Sequence, residues 1–356
     1  MSFLRIRINY NSNENVVYSR LFNEVLKTFV SNDMTSWSLN KGWEYGPHFN
    51  LLINKKSHFF SQDLVNTVQS MIESFIKEFP SENYDKDAYV EKQKQLKKIE
   101  NKELDHKVVF DNNSLSVDEI TLSNIYKKFE NEAQMESVFN AECQLSSYII
   151  KMRANDEQPL DIALKVMLMT ACTFSPHPSP LPEVDEYNGF LSFKANYKFW
   201  LHGLNEEDKS YIESKFSEKY SEYIEVINEF LVGKSSRSTD FSKSLNELYL
   251  YFTEMAEQGY IHERSPHPLE MLKPKEELSG FHQSLFYNDD GSVYRFPHIF
   301  SGYRWLMNIV YKNLPFIGCS AMDRQFLNYA LFNFDDNNRS LISQFRESIK
   351  IGEFGY

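Results

Sequence analysis

The feature that most constrains this chain is the stretch at residues 43–53, WEYGPHFNLLI. Glycine admits backbone angles closed to other residues, and proline fixes its own φ and pushes its predecessor out of helical space. Gly46-Pro47 therefore makes a local turn. Beyond it, Phe49-Asn50-Leu51-Leu52-Ile53 is a short apolar run of the kind that forms a mostly buried strand. An aromatic-rich arm turns sharply into a core strand, with Glu44 and His48 beside the corner. On physics alone this is a β-corner with a satisfied histidine.

The rest of the chain reads as helices and strands around that strand. Phe3-Leu4-Arg5-Ile6-Arg7-Ile8 alternates with period two, as a strand does. Tyr18, Leu21, Phe22, Val25, Leu26 and Phe29 keep helical spacing, which predicts an amphipathic helix over 16–30. Ser61 is placed to cap a helix that stops before Pro80. Residues 81–107 are polar and lysine-rich and read as an exposed helix or loop, with Val108-Val109-Phe110 as a strand after it. Ser116-Val-Asp-Glu119 has the form of a capping box and predicts a helix through Ile120, Ile125 and Phe129. Helices are expected next at 134–152 and 157–173, the latter with Pro159 in its first turn. Four prolines make 175–182 irregular. Asn205 caps a helix to Leu231, another runs over 242–258 to Gly259, and Ser320 opens the last with Asp323. Residues 281–287 alternate like a strand and lead into an Asn288–Gly291 turn. The expectation is a single α+β domain over 1–356. It has an antiparallel sheet, packed helices and a lysine-rich insertion around 81–107, with strands 3–10, 49–54 and 281–287 sharing one core.

Composition excludes several functions. A net charge of −12 argues against nucleic acid, because affinity for a polyanion comes largely from lysine and arginine. No apolar run approaches the roughly 20 residues a membrane span needs. Nothing at the N-terminus reads as a signal peptide, and three cysteines without a CxxC pair do not form a disulfide framework or zinc site. A reduced, cytoplasmic protein is expected. Gly233-Lys234-Ser235 ends like a phosphate-binding loop, but Asn228 stands where the first glycine belongs. His262-Glu263 lacks the second histidine of a zinc protease. No metal or cofactor is expected.

Gly46, Pro47, His48 and Phe49 resemble the glycine-proline-histidine-hydrophobic strand of the small, glutamate-eliminating domain of lantibiotic dehydratases. That strand continues with two arginines, where this chain has Asn50 and Leu52. The run YKNLPFIGCSAMDRQFLNYAL (311–331) resembles the closing segment of stand-alone thiopeptide-type bacteriocin biosynthesis proteins, as does Gly189-Phe-Leu-Ser-Phe-Lys194 a stretch of the same group. The resemblance implies one of two activities. One removes glutamate from glutamylated serine to leave dehydroalanine. The other, pyridine synthesis, joins two dehydroalanines by a formal (4+2) aza-cycloaddition, then releases water and the leader peptide. Expelling a carboxylate calls for bidentate arginine, and Asn50 and Leu52 cannot supply it. Pyridine synthesis is therefore the expectation, with glutamate elimination and a non-catalytic, peptide-holding role as alternatives. Lyase chemistry would need arginine from elsewhere, for example Arg153, Arg295 or Arg304.

This resemblance also selects candidate residues. Tyr294 and Tyr311, with His298 in reserve, are candidates for proton transfer, since a phenol of pKa near 10 donates without carrying a charge. His48, Asn50, Ser192, His282, Tyr287 and Arg304 are expected to contact substrate. Lys94, Lys97 and Lys98 are expected along a groove for the leader of a ribosomally made precursor peptide, and other enzymes of the pathway are possible partners.

Overall fold

Period-two patterning at the start of the chain builds an antiparallel sheet. The computed structural model describes residues 2–12, 14–99, 105–125, 131–178, 186–232, 236–261, 280, 282–283, 287 and 297–351. Four strands, β1 (Ser2–Asn9), β2 (Trp37–Gly42), β3 (His48–Asn54) and β4 (Ser114–Thr121), lie in the order β2-β3-β1-β4. All neighbours are antiparallel. The register sets Leu4 against Ile53, Ile6 against Leu51 and Ile8 against Phe49, so one face of the sheet is apolar and buried. The π-helical turn Val17–Phe22 and α1 (Asn23–Ser31) cover it, with Phe22 packing on Phe49 and Phe29 on Trp37 at ring distances of 4.9 and 5.0 Å. Each large side chain buried this way contributes about 1.5–3 kcal/mol.

Helices surround the sheet in chain order. Ser61 Oγ accepts from Leu64 N and caps α2 (Gln62–Glu78). α3 (Lys86–Ile99) carries the lysine-rich segment, and α4 (Leu122–Ile125) is a single turn. Asn131 caps α5 (Glu132–Ala154). From α5, Ser146 Oγ accepts the Leu39 N–H at 2.9 Å, occupying a donor of edge strand β2 that would otherwise be open to another chain.

Residues up to Gln158, joined by Pro315–Gly318, form one compact unit, and Pro159–Leu314 with Cys319 onward form another. The second unit contains α6 (Pro159–Thr173), the bridged pairs β5 (His177–Pro178) and β6 (Glu186–Tyr187), α7 (Leu191–His202), α8 (Glu206–Val232), α9 (Ser236–Glu257), α10 (His298–Ile317) and α11 (Ala321–Ile351). α6 is apolar nearly all round and, apart from Lys165, buried from Ile162 to Thr173, as a central helix must be. α11, capped by Ser320 and Asp323, packs on α7, α8 and α6 and kinks at Asn338. Among the described residues no helix is long and apolar enough to cross a membrane.

The α+β architecture with an antiparallel sheet and packed helices is as expected, and three local expectations are corrected. Residues 116–119 are not a helix start but the middle of β4. Pairing with β1 overrides the capping signal, and Asp118 is claimed by Arg5 through contacts of 2.8 and 2.6 Å. Val108-Val109-Phe110 is not a strand; the segment is held by Gln93 and by the Phe110 N–H to Tyr45 O. In 281–287 the described residues His282 and Gln283 are helical and not strand, and Phe281 and Ser284 to Phe286 lie outside the described residues. The Asn288–Gly291 turn, Arg295 and Gly233–Ser235 lie outside the described residues.

Candidate active site

The polar face of the sheet gathers the first cluster. Register places Asn40, Asn50, Arg7 and Ser116 in one row, and Gly42, His48, Asn9 and Ser114 in the next. Arg7 is buried, donating from Nε to Asn9 Oδ1 at 2.8 Å and from Nη2 to Glu44 O at 2.5 Å, with its guanidinium 4.8 Å from the Phe110 ring. His48 Nδ1 lies 2.9 Å from Gly46 O, and Nε2 lies 3.0 Å from Asn50 Nδ2. A carbonyl can only accept and an amide nitrogen only donate, so Nδ1 carries the proton and Nε2 accepts. Arg7 Nη2 then sits 3.0 Å from that ring as a bare cation contact. Burial, followed by Arg7, drives the His48 pKa down to about 3. The imidazole is neutral and fully engaged. Gly42 is required beneath it, because a Cβ there would lie 2.4 Å from His48 Nε2.

The corner itself is strained and braced. Tyr45 and Gly46 both have positive φ, 61° and 120°. α3 holds them: Tyr89 donates to Trp43 O at 2.8 Å, and the buried Gln93 accepts from Tyr45 N. The lysine-rich segment is thus anchored by its buried side. Lys94 is exposed and paired with Glu91 at 3.6 Å, and Lys97 is half-buried. The side chain of Lys98 lies outside the described residues.

The second cluster lies on one face of α7 in the helical unit. Gly189 precedes that helix and lets the chain pass close to α6, where a Cβ would meet Ala171 O at 2.1 Å. Asn188 Oδ1 caps the first turn through the Phe190 and Leu191 N–H groups, and its Nδ2 bonds Asp335 at 3.0 Å. Ser192, Ala195, Asn196 and Phe199 share one face by their spacing. Tyr311 on α10 donates to Asn328 Oδ1 at 2.8 Å. Asn328 Nδ2 reaches Asn196 Oδ1 and Gln325 Oε1, each at 3.3 Å. His282 Nε2 meets Ala195 O at 3.0 Å, and its ring packs on Phe199. Arg304 acts on both His282 and Tyr311 through its charge. Burial raises the Tyr311 pKa, partly offset by Arg324, whose guanidinium lies 5.7 Å from the ring. Ser192 Oγ is buried with no hydrogen-bond partner among the described residues.

Of the residues expected from sequence, His282 reaches α7 directly and Tyr311 reaches it through Asn328. Ser192 lies on the same face of α7, Arg304 is linked to His282 and Tyr311 by its charge alone, and His48 and Asn50 meet on the sheet. His298 is exposed at the start of α10, Tyr287 is half-buried with its N–H on Gln283 O, and Tyr294 lies outside the described residues. Sequence reasoning missed Arg7, Asn196, Gln325 and Asn328. A signal for Arg7 was present, since Arg5, Arg7 and Asn9 alternate with the apolar residues of β1.

No family model matches the chain, and no match was found among curated proteins. Among solved structures, the pyridine synthase TbtD from thiomuracin biosynthesis matches with a TM-score of 0.69 at 12% identity, covering 95% of this chain and 99% of that one. The crystal structure of TsrL matches with a TM-score of 0.57 at 13% identity, covering 98% and 99%. At these identities the likeness is one of fold, and the chain shares the fold of a pyridine synthase over nearly its whole length.

Proposed function

We propose that this protein is an enzyme of thiopeptide maturation. It joins two dehydroalanines of a leader-bearing peptide by a formal (4+2) aza-cycloaddition and releases water and the leader. The observation that carries this reading is the fold shared with TbtD across 95% of this chain and 99% of the other. The strand at Asn50 and Leu52 supports it. Leu52 is buried in the sheet and Asn50 is bonded to His48, so neither position offers a cation for a departing carboxylate.

Cycloaddition asks mainly for two distant parts of one flexible peptide to be held together, which is worth roughly 7–11 kcal/mol of barrier. It also needs one amide kept as its iminol. We assign that task to Tyr311 with the Asn196, Gln325 and Asn328 amides. Burial holds the phenol neutral, so it donates a hydrogen bond without bringing charge into the site. Tyr294 and His298 remain candidates for the later proton transfers, with Ser192, His282, Tyr287 and Arg304 toward the peptide. The lysines of α3 are the candidate border of the leader groove.

Glutamate elimination is the second reading, and Arg7 favours it. β1 sets this buried guanidinium directly opposite Asn50, beside a position where the lantibiotic-dehydratase strand carries arginine. Incubating the purified protein with a leader-bearing, dehydroalanine-containing peptide and with its glutamylated precursor separates the readings by mass. Loss of leader and water supports the synthase, loss of glutamate supports the lyase, and no change from either substrate leaves a peptide-holding protein.

A further inference from the structure

The α7 cluster is bordered by a charged group that the proposed reaction does not use. Arg324 lies in the first turn of α11, its backbone N–H on Ser320 O, and its guanidinium stands 5.7 Å from the centre of the Tyr311 ring. Tyr311 donates to Asn328 Oδ1 at 2.8 Å, and Asn328 and Gln325 both reach Asn196 Oδ1, at 3.3 and 3.5 Å. A cation therefore stands at the edge of a set of neutral amides. Gln325 and Asn328 are buried, whereas Arg324, Tyr311 and Asn196 are only half-buried. Phe199, one turn beyond Asn196 on α7, is 46% exposed, so solvent reaches this side of the cluster.

Arg324 has no anion of its own. Among the described residues its side chain makes no hydrogen bond or ion pair. Nε is enclosed without an acceptor, and the two terminal nitrogens, which no partner takes, keep solvent contact. Positions one turn away on α11 are Ser320, Ala321, Leu327 and Asn328, so the helix itself supplies no carboxylate. Asp323 is already taken: it accepts from Ser320 N and Oγ at 3.0 and 2.7 Å and lies 3.9 Å from Lys219. The Tyr311 ring steadies the guanidinium through its quadrupole but leaves the charge and the outer N–H groups unanswered. A cation that has already given up part of its water gains more from an anion at its open edge than a fully exposed arginine would.

We propose that the terminal edge of Arg324 receives a carboxylate of the peptide and so sets the peptide beside Tyr311. This deepens the proposed function and rests on it for the ligand being a peptide. A carboxylate matches the planar pair of N–H donors, accepting one with each oxygen. Phosphate is disfavoured, because Ser320 and Asp323 close the start of α11 as a capping box. The box occupies N–H groups and puts a negative charge where a phosphate would settle.

The test follows the Arg324 Nε–H signal by NMR in protein carrying isotope-labelled arginine, with Arg324→Lys for assignment. The probes are acetyl-Gly-Glu-Gly-amide, acetyl-Gly-Gln-Gly with a free C-terminus, and acetyl-Gly-Gln-Gly-amide, at low ionic strength where screening is weak. A carboxylate on the terminal edge should move the signal saturably, while the neutral amide leaves it in place. Arg324→Gln should weaken carboxylate binding, read by calorimetry, at least about tenfold, the low end of what a hydrogen bond to a charged group is worth. Arg324→Lys should keep part of the affinity, since it retains the charge and loses the fork. A response to the glutamate probe alone assigns a side-chain carboxylate, and a response to the free C-terminus alone assigns a chain end. A response to both assigns a site that reads the carboxylate wherever it sits. No movement with any probe would overturn the proposal, as would equal movement with the neutral amide or unchanged binding in Arg324→Gln. The signal in the parent protein decides the matter even where a variant folds poorly. None of these readouts needs turnover, so the mass assay of the synthase reading can fail while this site stands, and the reverse.

Discussion

The sheet cluster and the α7 cluster are both buried and polar, yet they are built by opposite means. Around Arg7 and His48, strand register brings charged and aromatic groups together, and their contacts run from 2.5 to 3.0 Å. Among the described residues Asn50 Oδ1 is the acceptor there left over. Around α7, amide side chains from separate helices meet at 3.3 to 3.5 Å, and Ser192 Oγ has no partner among the described residues. A tight network around a buried cation resists change, whereas neutral amides that can exchange donors for a ligand's suit a site that must accommodate one. The difference teaches that the more charged cluster is the scaffold and the less charged one the better candidate for chemistry.

The sharpest test of that division is Tyr311→Phe. If the phenol serves proton transfer or iminol stabilisation, turnover should fall by roughly 10²–10⁴, while the lost hydrogen bond costs only about 0.5–1.5 kcal/mol in urea unfolding. A rate loss matched by an equal stability loss would make α7 scaffold too. Gly189→Ala should cost about 3 kcal/mol or more, because the new methyl meets backbone of α6 that cannot turn aside. Gly42→Ala should cost less, since its obstacle is the His48 ring. Chemical denaturation of the pair ranks the two supports directly.

Arg7→Met comes next, at about 2–3 kcal/mol, by removing the charged donor to Asn9 Oδ1 and Glu44 O. Loss of glutamate-eliminating activity in a variant that remains folded would instead move chemistry to the sheet. His48 supplies a pH signature. Its folded pKa of about 3 lies below the unfolded 6.5, so the unfolded chain binds the extra proton between them. Stability is complete above about pH 6.5 and should fall by about 1–3 kcal/mol toward pH 4. Urea midpoints across that range should show the loss in the parent protein and a flatter profile in His48→Gln. The smallest effect is expected from Asp118→Ala, under about 1 kcal/mol despite its two contacts to Arg5, because both side chains are substantially exposed.

Much of this organisation was legible where the cause is local. The alternation of β1, the Gly46-Pro47 corner and the caps at Ser61, Asn205 and Ser320 act within a few residues and appear as expected. Ser116–Glu119 misled because a capping box is a local preference, and β1 pairs with the whole strand from Ser114 to Thr121. The α7 cluster was only half legible. Ser192 and Tyr311 stood out through resemblance, but Asn196, Gln325 and Asn328 are ordinary polar residues. Gln325 and Asn328 are neighbours by their spacing on α11, while their meeting with Asn196 on α7 and Tyr311 on α10 is decided by how the three helices pack.

Phe316 carries a consequence for how this protein is made. Its ring packs on Tyr18, Phe22 and Phe49, and its carbonyl accepts the Tyr18 hydroxyl. The sheet unit therefore draws part of its core from a segment synthesised long after Gln158, where its main stretch ends. From Gln158 to Gly318 is 318 − 158 = 160 residues, a wait of roughly 8–32 s at about 5–20 residues per second. During it the nascent sheet leaves the ribosome with an aromatic surface still uncovered. A truncated messenger ending near residue 158 would yield a fragment that never closes it.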